Sequence, residues 1–118
     1  MAGLVPAIHE GVAAVVVVHQ HARMREARVY ILTNKPNGIL YRGVTNNLQR
    51  RIWEHREGIF PGFTKRYGLK RLVYVERHAT ISAAIQRERN MKHWSRTWTV
   101  RLILAANPNW DDLYETIL

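Results

Sequence analysis

Arg51 and His55 lie four residues apart, the spacing that sets two side chains on one stripe of a helix. Upstream, Tyr30 and Tyr41 sit in two β-rich runs joined by a turn, so strand alternation can point both phenols to the same side of a hairpin. Such a quartet suits phosphodiester hydrolysis. An arginine neutralises the charge that grows on the phosphate oxygens, and a tyrosine or histidine can take a proton from the attacking water. Spacing alone favours a blander account, in which two packed strand tyrosines and a solvated Arg–His pair share no chemistry.

A carboxylate further along the chain changes that weighting. Ile81, Ala84, Ile85, Glu88 and Met91 recur at helical spacing, which embeds Glu88 in an apolar stripe. A carboxylate there is expensive unless it is paired or bound to metal. Two explanations stand level. One is an ion pair with a basic residue of the first helix. The other is a single ligand for a hard cation such as Mg²⁺ or Mn²⁺, which keeps several waters and needs few protein carboxylates.

Short elements must position these residues. Val29 to Leu32 and Ile39 to Val44 read as strands, and the Pro and Asn-Gly of the intervening Thr33–Gly38 segment supply the turn of a hairpin. A helix is predicted from about Asn47 to Glu57, capped by Thr45 or Asn46 and stopped by Gly58, with Leu48 and Ile52 as its buried stripe. Leu69 to Glu76 reads as a third strand. Thr80 caps a second helix reaching about His93, and Ser95 caps a third that Asn107-Pro108 ends near Ala106. Trp110 to Leu118 adds a final turn or two. The order β-β-α-β-α-α predicts an α/β (α+β) domain in which a small three-stranded antiparallel sheet is flanked by helices.

The totals agree with a polyanion partner. A chain of 118 residues with 47% hydrophobic content supports one modest core. The absence of cysteine removes disulfides, thiolate metal sites and a cysteine nucleophile. The formal net charge is +9, and fourteen of the eighteen cations are arginine, whose planar fork grips phosphate with two hydrogen bonds. Residues 1 to 24 contribute none of that charge, holding only Glu10 and Arg23 beside a valine run. They are expected to form an N-terminal extension to a domain spanning 25 to 118, with Met24 an alternative start and a strand through Val15 to Val18 the opposing reading. His19 and His21 make an H-x-H pair with no further ligand nearby. The apolar run Gly11 to Val18 is too short to cross a bilayer and lacks the flanks of a secretory signal, so the expected location is the cytoplasm, without a membrane partner.

The stretches Val29-Tyr30-Ile31, Leu40-Tyr41-Arg42-Gly43 and Leu48 to His55 resemble the GIY-YIG nuclease superfamily, and in particular its small stand-alone bacterial domains. Gly62 to Gly68, Leu72-Val73-Tyr74, Arg87-Glu88, Met91-Lys92 with Trp94, and Asn107 to Trp110 extend the likeness from about Arg28 to the end. The resemblance implies that Tyr30 and Tyr41 line an active site and that one of them deprotonates the water. It also implies that Arg51 binds phosphate, that His55 assists proton transfer, and that Glu88 is the single acidic ligand of Mg²⁺ or Mn²⁺. Asn107 matches a supporting asparagine, and Gly43 permits close backbone approach near the cleft. Two departures stand out: Arg28 replaces the first glycine of the first motif, and Arg42 replaces the isoleucine of the second. Alternation turns Arg42 away from Tyr41, where it can contact phosphate or cap the other face. Arg50, five residues from His55, leaves open which arginine acts.

The function expected is a metal-dependent endonuclease acting on DNA, directed by branched or nicked structure more than by sequence. Lys65, Arg66, Lys70, Arg71, Lys92 and Arg96, with Arg42, are the candidate contacts to the nucleic-acid backbone. A non-catalytic nucleic-acid-binding module of the same fold and a small RNA-binding protein are the alternatives.

Overall fold

The hydrophobic run Val29–Leu32 becomes the middle of the sheet. A computed structural model describes residues 26–118, so the expectations for residues 1 to 24, including the extension, the valine strand and the His19/His21 pair, lie outside the described residues. Strand β1 (Ala27–Thr33) is flanked by β2 (Leu40–Thr45) and β3 (Arg71–His78), both antiparallel, in the order β2-β1-β3. All seven β1 residues are buried, as a strand covered on both faces requires. Tyr30 pairs with Gly43 on one side and Val75 on the other. The β1–β3 register slips between Ile31 and Leu32, a bulge that bends the sheet locally.

Alternation divides the core in two. Tyr30, Leu32, Leu72 and Val75 pack against Leu48 and Ile52 of helix α1 (Leu48–Glu57). Val29, Ile31, Val73 and Tyr74 pack against Ala84 and Met91 of helix α3 (Ile81–Met91) and against Leu102 and Ile103 of helix α4 (Arg96–Ala106). A one-turn helix, α2 (Phe63–Arg66), lies between α1 and β3. It was not expected, because four residues are too few to show a helical period. The tail docks on the free edge of β3: Leu113 N–H donates to the Leu72 carbonyl at 2.7 Å, and the Leu72 N–H donates to Asp112 at 3.1 Å. That contact satisfies an edge that would otherwise be open. A 3₁₀ turn, Tyr114–Ile117, follows and closes the core beneath α1.

Caps fix the helix ends. Thr80 accepts from Ala83 N–H and Ser95 from Trp98 N–H, as their residue types predict. The cap of α1 is Asn47, not Thr45 or Asn46; its side chain accepts from Arg50 N–H, while Thr45 accepts from Asn47 N–H and shapes the approach. Gly58 ends α1 with φ 69°, a left-handed conformation that costs a glycine little. Helix α3 stops at Met91, earlier than expected, and β3 runs two residues later than its apolar pattern indicates. The apolar face of α3 is also narrower than its sequence suggests. Ala84 and Met91 are buried but Ile81 and Ile85 are exposed, because the helix touches the sheet along one strip only. Among the described residues no helix is long and apolar enough to cross a membrane.

Candidate active site

Tyr30 rises from the central strand toward α1, directly opposite Gly43. A Cβ at position 43 would stand 2.4 Å from the Tyr30 phenol oxygen, so only glycine leaves room for the ring. On the helix, His55 Nε2 lies 3.0 Å from that oxygen, and its Nδ1 lies 3.2 Å from Thr64 Oγ1 at the start of α2. Both ring nitrogens are therefore engaged, which fixes the imidazole plane. Burial, with help from the Arg51 charge, holds the His55 pKa below its ordinary value. The ring is thus neutral near pH 7. Burial raises the Tyr30 phenol far above its usual range, the Tyr41 phenol adds to the rise, and Arg51 pulls the other way.

Tyr41 completes the aromatic group. Its ring centroid is 6.4 Å from Tyr30 and 5.8 Å from His55. Tyr30 is 0% exposed, whereas Tyr41, on the edge strand, is half-buried and reaches solvent. Arg51 flanks the cluster. Its guanidinium lies 5.3 Å from the centroid of Phe60, a ring that also meets His55 at 5.8 Å, and its Nε is 3.6 Å from Glu54. Arg50 has a side chain 73% exposed and hydrogen-bonds Glu54 at 3.2 Å. The arginine that faces the tyrosines is therefore Arg51. Tyr30, Tyr41, Arg51 and His55 form one cluster on the α1 face of the sheet.

Glu88 stands elsewhere. Helix α3 packs on the opposite face, and the Glu88 carboxylate lies 3.9 Å from Arg42 Nε of β2. The sequence suggested a basic partner from the first helix; the partner is instead a strand residue, because α3 packs across the sheet from α1. Arg42 does turn away from Tyr41, as alternation requires. The carboxylate thus sits beside the edge strand, next to the residue that follows Tyr41, and outside the cluster of the phenols. Its helix is anchored by Arg87, which donates to buried Glu76 at 2.7 and 3.2 Å. Tyr74 and His78 also bond Glu76 at 2.7 Å each.

Among the described residues no group of three or more His, Asp or Glu side chains forms a metal cage. The donor set fits a hard cation that keeps its water: one half-buried carboxylate, 16% exposed, with an ion-pair neighbour too distant to hydrogen-bond it. Lys65, Arg66, Lys70 and Lys92 project into solvent, and Arg66 lies over Tyr67 at 5.5 Å. Arg71 and Arg96 are tied to the protein's own carbonyls, those of Trp110 and of Asn37 and Gly38 respectively. Asn107 is buried and bridges the Val73 carbonyl to Asp111, which fastens the tail to β3. Sequence reading gave no role to Thr64, Phe60 or Glu54. Thr64 and Phe60 lie in and before a helix too short for periodicity, and only the i, i+3 and i, i+4 offsets of Glu54 from Arg51 and Arg50 hinted at its contacts.

Comparison with known proteins identifies the family. Residues 26–101 match the GIY-YIG catalytic domain model. A UPF0213 protein of Natronomonas pharaonis is 39% identical over 75 residues, covering 64% of this chain and 87% of that protein. One from Staphylococcus haemolyticus is 36% identical over 80 residues, covering 68% and 96%. The solution NMR structure of the UPF0213 protein BH0048 from Bacillus halodurans is 28% identical, with a TM-score of 0.48, covering 76% of this chain and 95% of that one. The chain belongs to the GIY-YIG family, a family of nucleases, and is similar to its small UPF0213 proteins.

Proposed function

We propose that this protein is a divalent-metal-dependent endonuclease that hydrolyses phosphodiester bonds in DNA. The observation that carries the reading is the clustering of Tyr41, Arg51 and His55 about buried Tyr30, with Tyr41 at the solvent side. Arg51 supplies a forked cation for the non-bridging phosphate oxygens, whose charge grows as water attacks. Tyr41 is the signature tyrosine that solvent reaches, so it is the phenol that can hydrogen-bond the attacking water and draw off its proton. Tyr30 is too deeply enclosed to meet the water; it holds the neutral His55 ring in place from one side while Thr64 holds it from the other. His55 meets Tyr41 edge-on at 5.8 Å with both ring nitrogens already engaged, so it orders the cluster in which Tyr41 works.

Glu88 would hold Mg²⁺ or Mn²⁺ beside Arg42, outside the phenol cluster, and the ion would supply Lewis-acid chemistry to a phosphate that spans the edge of β2 from Arg51. The free cations Lys65, Arg66, Lys70 and Lys92 would contact the nucleic-acid backbone. Backbone contacts carry no sequence information, which supports low sequence specificity. The reading is tested by nicking of supercoiled plasmid with and without Mg²⁺. Nicking that needs the ion and disappears in Glu88→Ala supports it; tight DNA binding with no ion-dependent nicking contradicts it and favours a non-catalytic module.

A further inference from the structure

Two neighbouring residues of α3 engage opposite charges in different ways. Arg87 closes on Glu76 with two hydrogen bonds, at 2.7 and 3.2 Å, and that carboxylate is saturated by Tyr74 and His78 as well. Glu88 is held at ion-pair distance only. Arg42 Nε stands 3.9 Å from its Oε2, beyond hydrogen-bond range, and that Nε is buried with no hydrogen-bond partner. The arginine is therefore poised against the carboxylate without satisfying either group, and the Glu88 oxygens keep their lone pairs. Both side chains are partly sheltered, at 24% and 16% exposure, so their charges feel each other more strongly than on an open surface.

We infer that Arg42 is the resident counter-ion of Glu88 and competes with the divalent cation for that carboxylate, so that it sets the metal concentration at which the site fills. The inference rests on the reading of Glu88 as the metal ligand. Without the ion, Arg42 neutralises a half-buried carboxylate that would otherwise be costly. When a dication arrives, the guanidinium becomes a like charge a few ångströms away, and the gain from binding falls by that repulsion. A residue without charge in the same strand position would leave the carboxylate open. Substitution is tolerable there, since Arg42 makes no hydrogen bond whose loss would strand a partner.

The test is Mn²⁺ binding to the full chain at fixed ionic strength, read from the electron paramagnetic resonance signal of the free ion, with thermal melts confirming that each variant is folded. Arg42→Gln should tighten Mn²⁺ binding about tenfold, as expected for removing one like charge at this range. Arg42→Lys keeps the charge and should stay within roughly threefold of the parent chain. Glu88→Gln should abolish binding in either background. Unchanged or weaker binding by Arg42→Gln, while Glu88→Gln still abolishes it, overturns the competition and leaves Glu88 as ligand. Binding that persists in Glu88→Gln overturns the ligand assignment and the competition with it.

Discussion

Gly43 and Tyr30 are strand partners at the centre of the hairpin, and the tyrosine ring fills the space where a side chain at position 43 would stand. The ring has no alternative place, because it is fully buried between the sheet and α1. Gly43→Ala must therefore push Tyr30 away from His55. Overpacking of this kind costs about 1–3 kcal/mol, and nicking should fall with it because the His55 ring loses one of its two anchors. Urea unfolding and a nicking assay on the same preparation check both effects; an alanine variant with parental stability and activity would show that the cluster is looser than its geometry implies.

His55 gives the protein a dependence on acid. Its folded-state pKa lies below the ordinary histidine value, so the unfolded chain takes up the proton first. The stability tied to the neutral ring is fully present above about pH 6.5. It is lost as pH falls from there through the lower folded-state value. Urea midpoints from pH 8 to 5 should therefore decline more steeply for the parent chain than for His55→Gln, which removes this one titration. Parallel curves would mean that the imidazole is not buried neutral.

The Glu76 cluster makes a separate demand. Burial alone would raise its pKa, but hydrogen bonds from His78, Arg87 and Tyr74 together hold it below the usual carboxylate range. Glu76→Gln leaves the half-enclosed Arg87 cation without its partner, and breaking a buried pair from one side costs about 3–5 kcal/mol. The Glu76 contribution is complete above the unfolded carboxylate value of about 4.3 and is lost as pH falls through its lower folded-state value. Acid titration of stability in the parent chain and in Glu76→Gln measures it; a cost below about 1 kcal/mol, the level of a surface pair, would refute a buried anchor for α3.

Much of this was legible in residue order. Turn chemistry at Pro36 to Gly38 and alternation through Val29–Leu32 placed both tyrosines on one face. The four-residue offset of Arg51 and His55 sets them on one helix stripe, and only the family resemblance joins that stripe to the tyrosines. Gly43 is legible as a point of close approach, although its partner Tyr30 is not. The illegible parts depend on packing geometry. A one-turn helix carrying Thr64 has no period to detect. The face of the sheet on which α3 would pack, and hence the pairing of Glu88 with Arg42, follows from how the chain crosses over after β3. Periodicity also overstated the contact strip of α3, since it counts apolar residues and not the neighbours available to cover Ile81 and Ile85. Charge counting could not foresee that Arg71 and Arg96 bind the protein's own carbonyls.

The most direct measurement is the single-turnover rate of DNA nicking by Arg51→Ala beside Arg50→Ala, at saturating Mg²⁺ and equal fold content. Arg51 faces the tyrosines and Arg50 faces solvent, although they are adjacent in sequence. Loss of Arg51 should slow nicking by about 10²–10³, the effect of removing one donor to a developing oxyanion, while loss of Arg50 leaves the rate within about threefold. Equal effects from the two substitutions, or none from Arg51→Ala, would contradict a catalytic cluster built where β1, β2 and α1 meet.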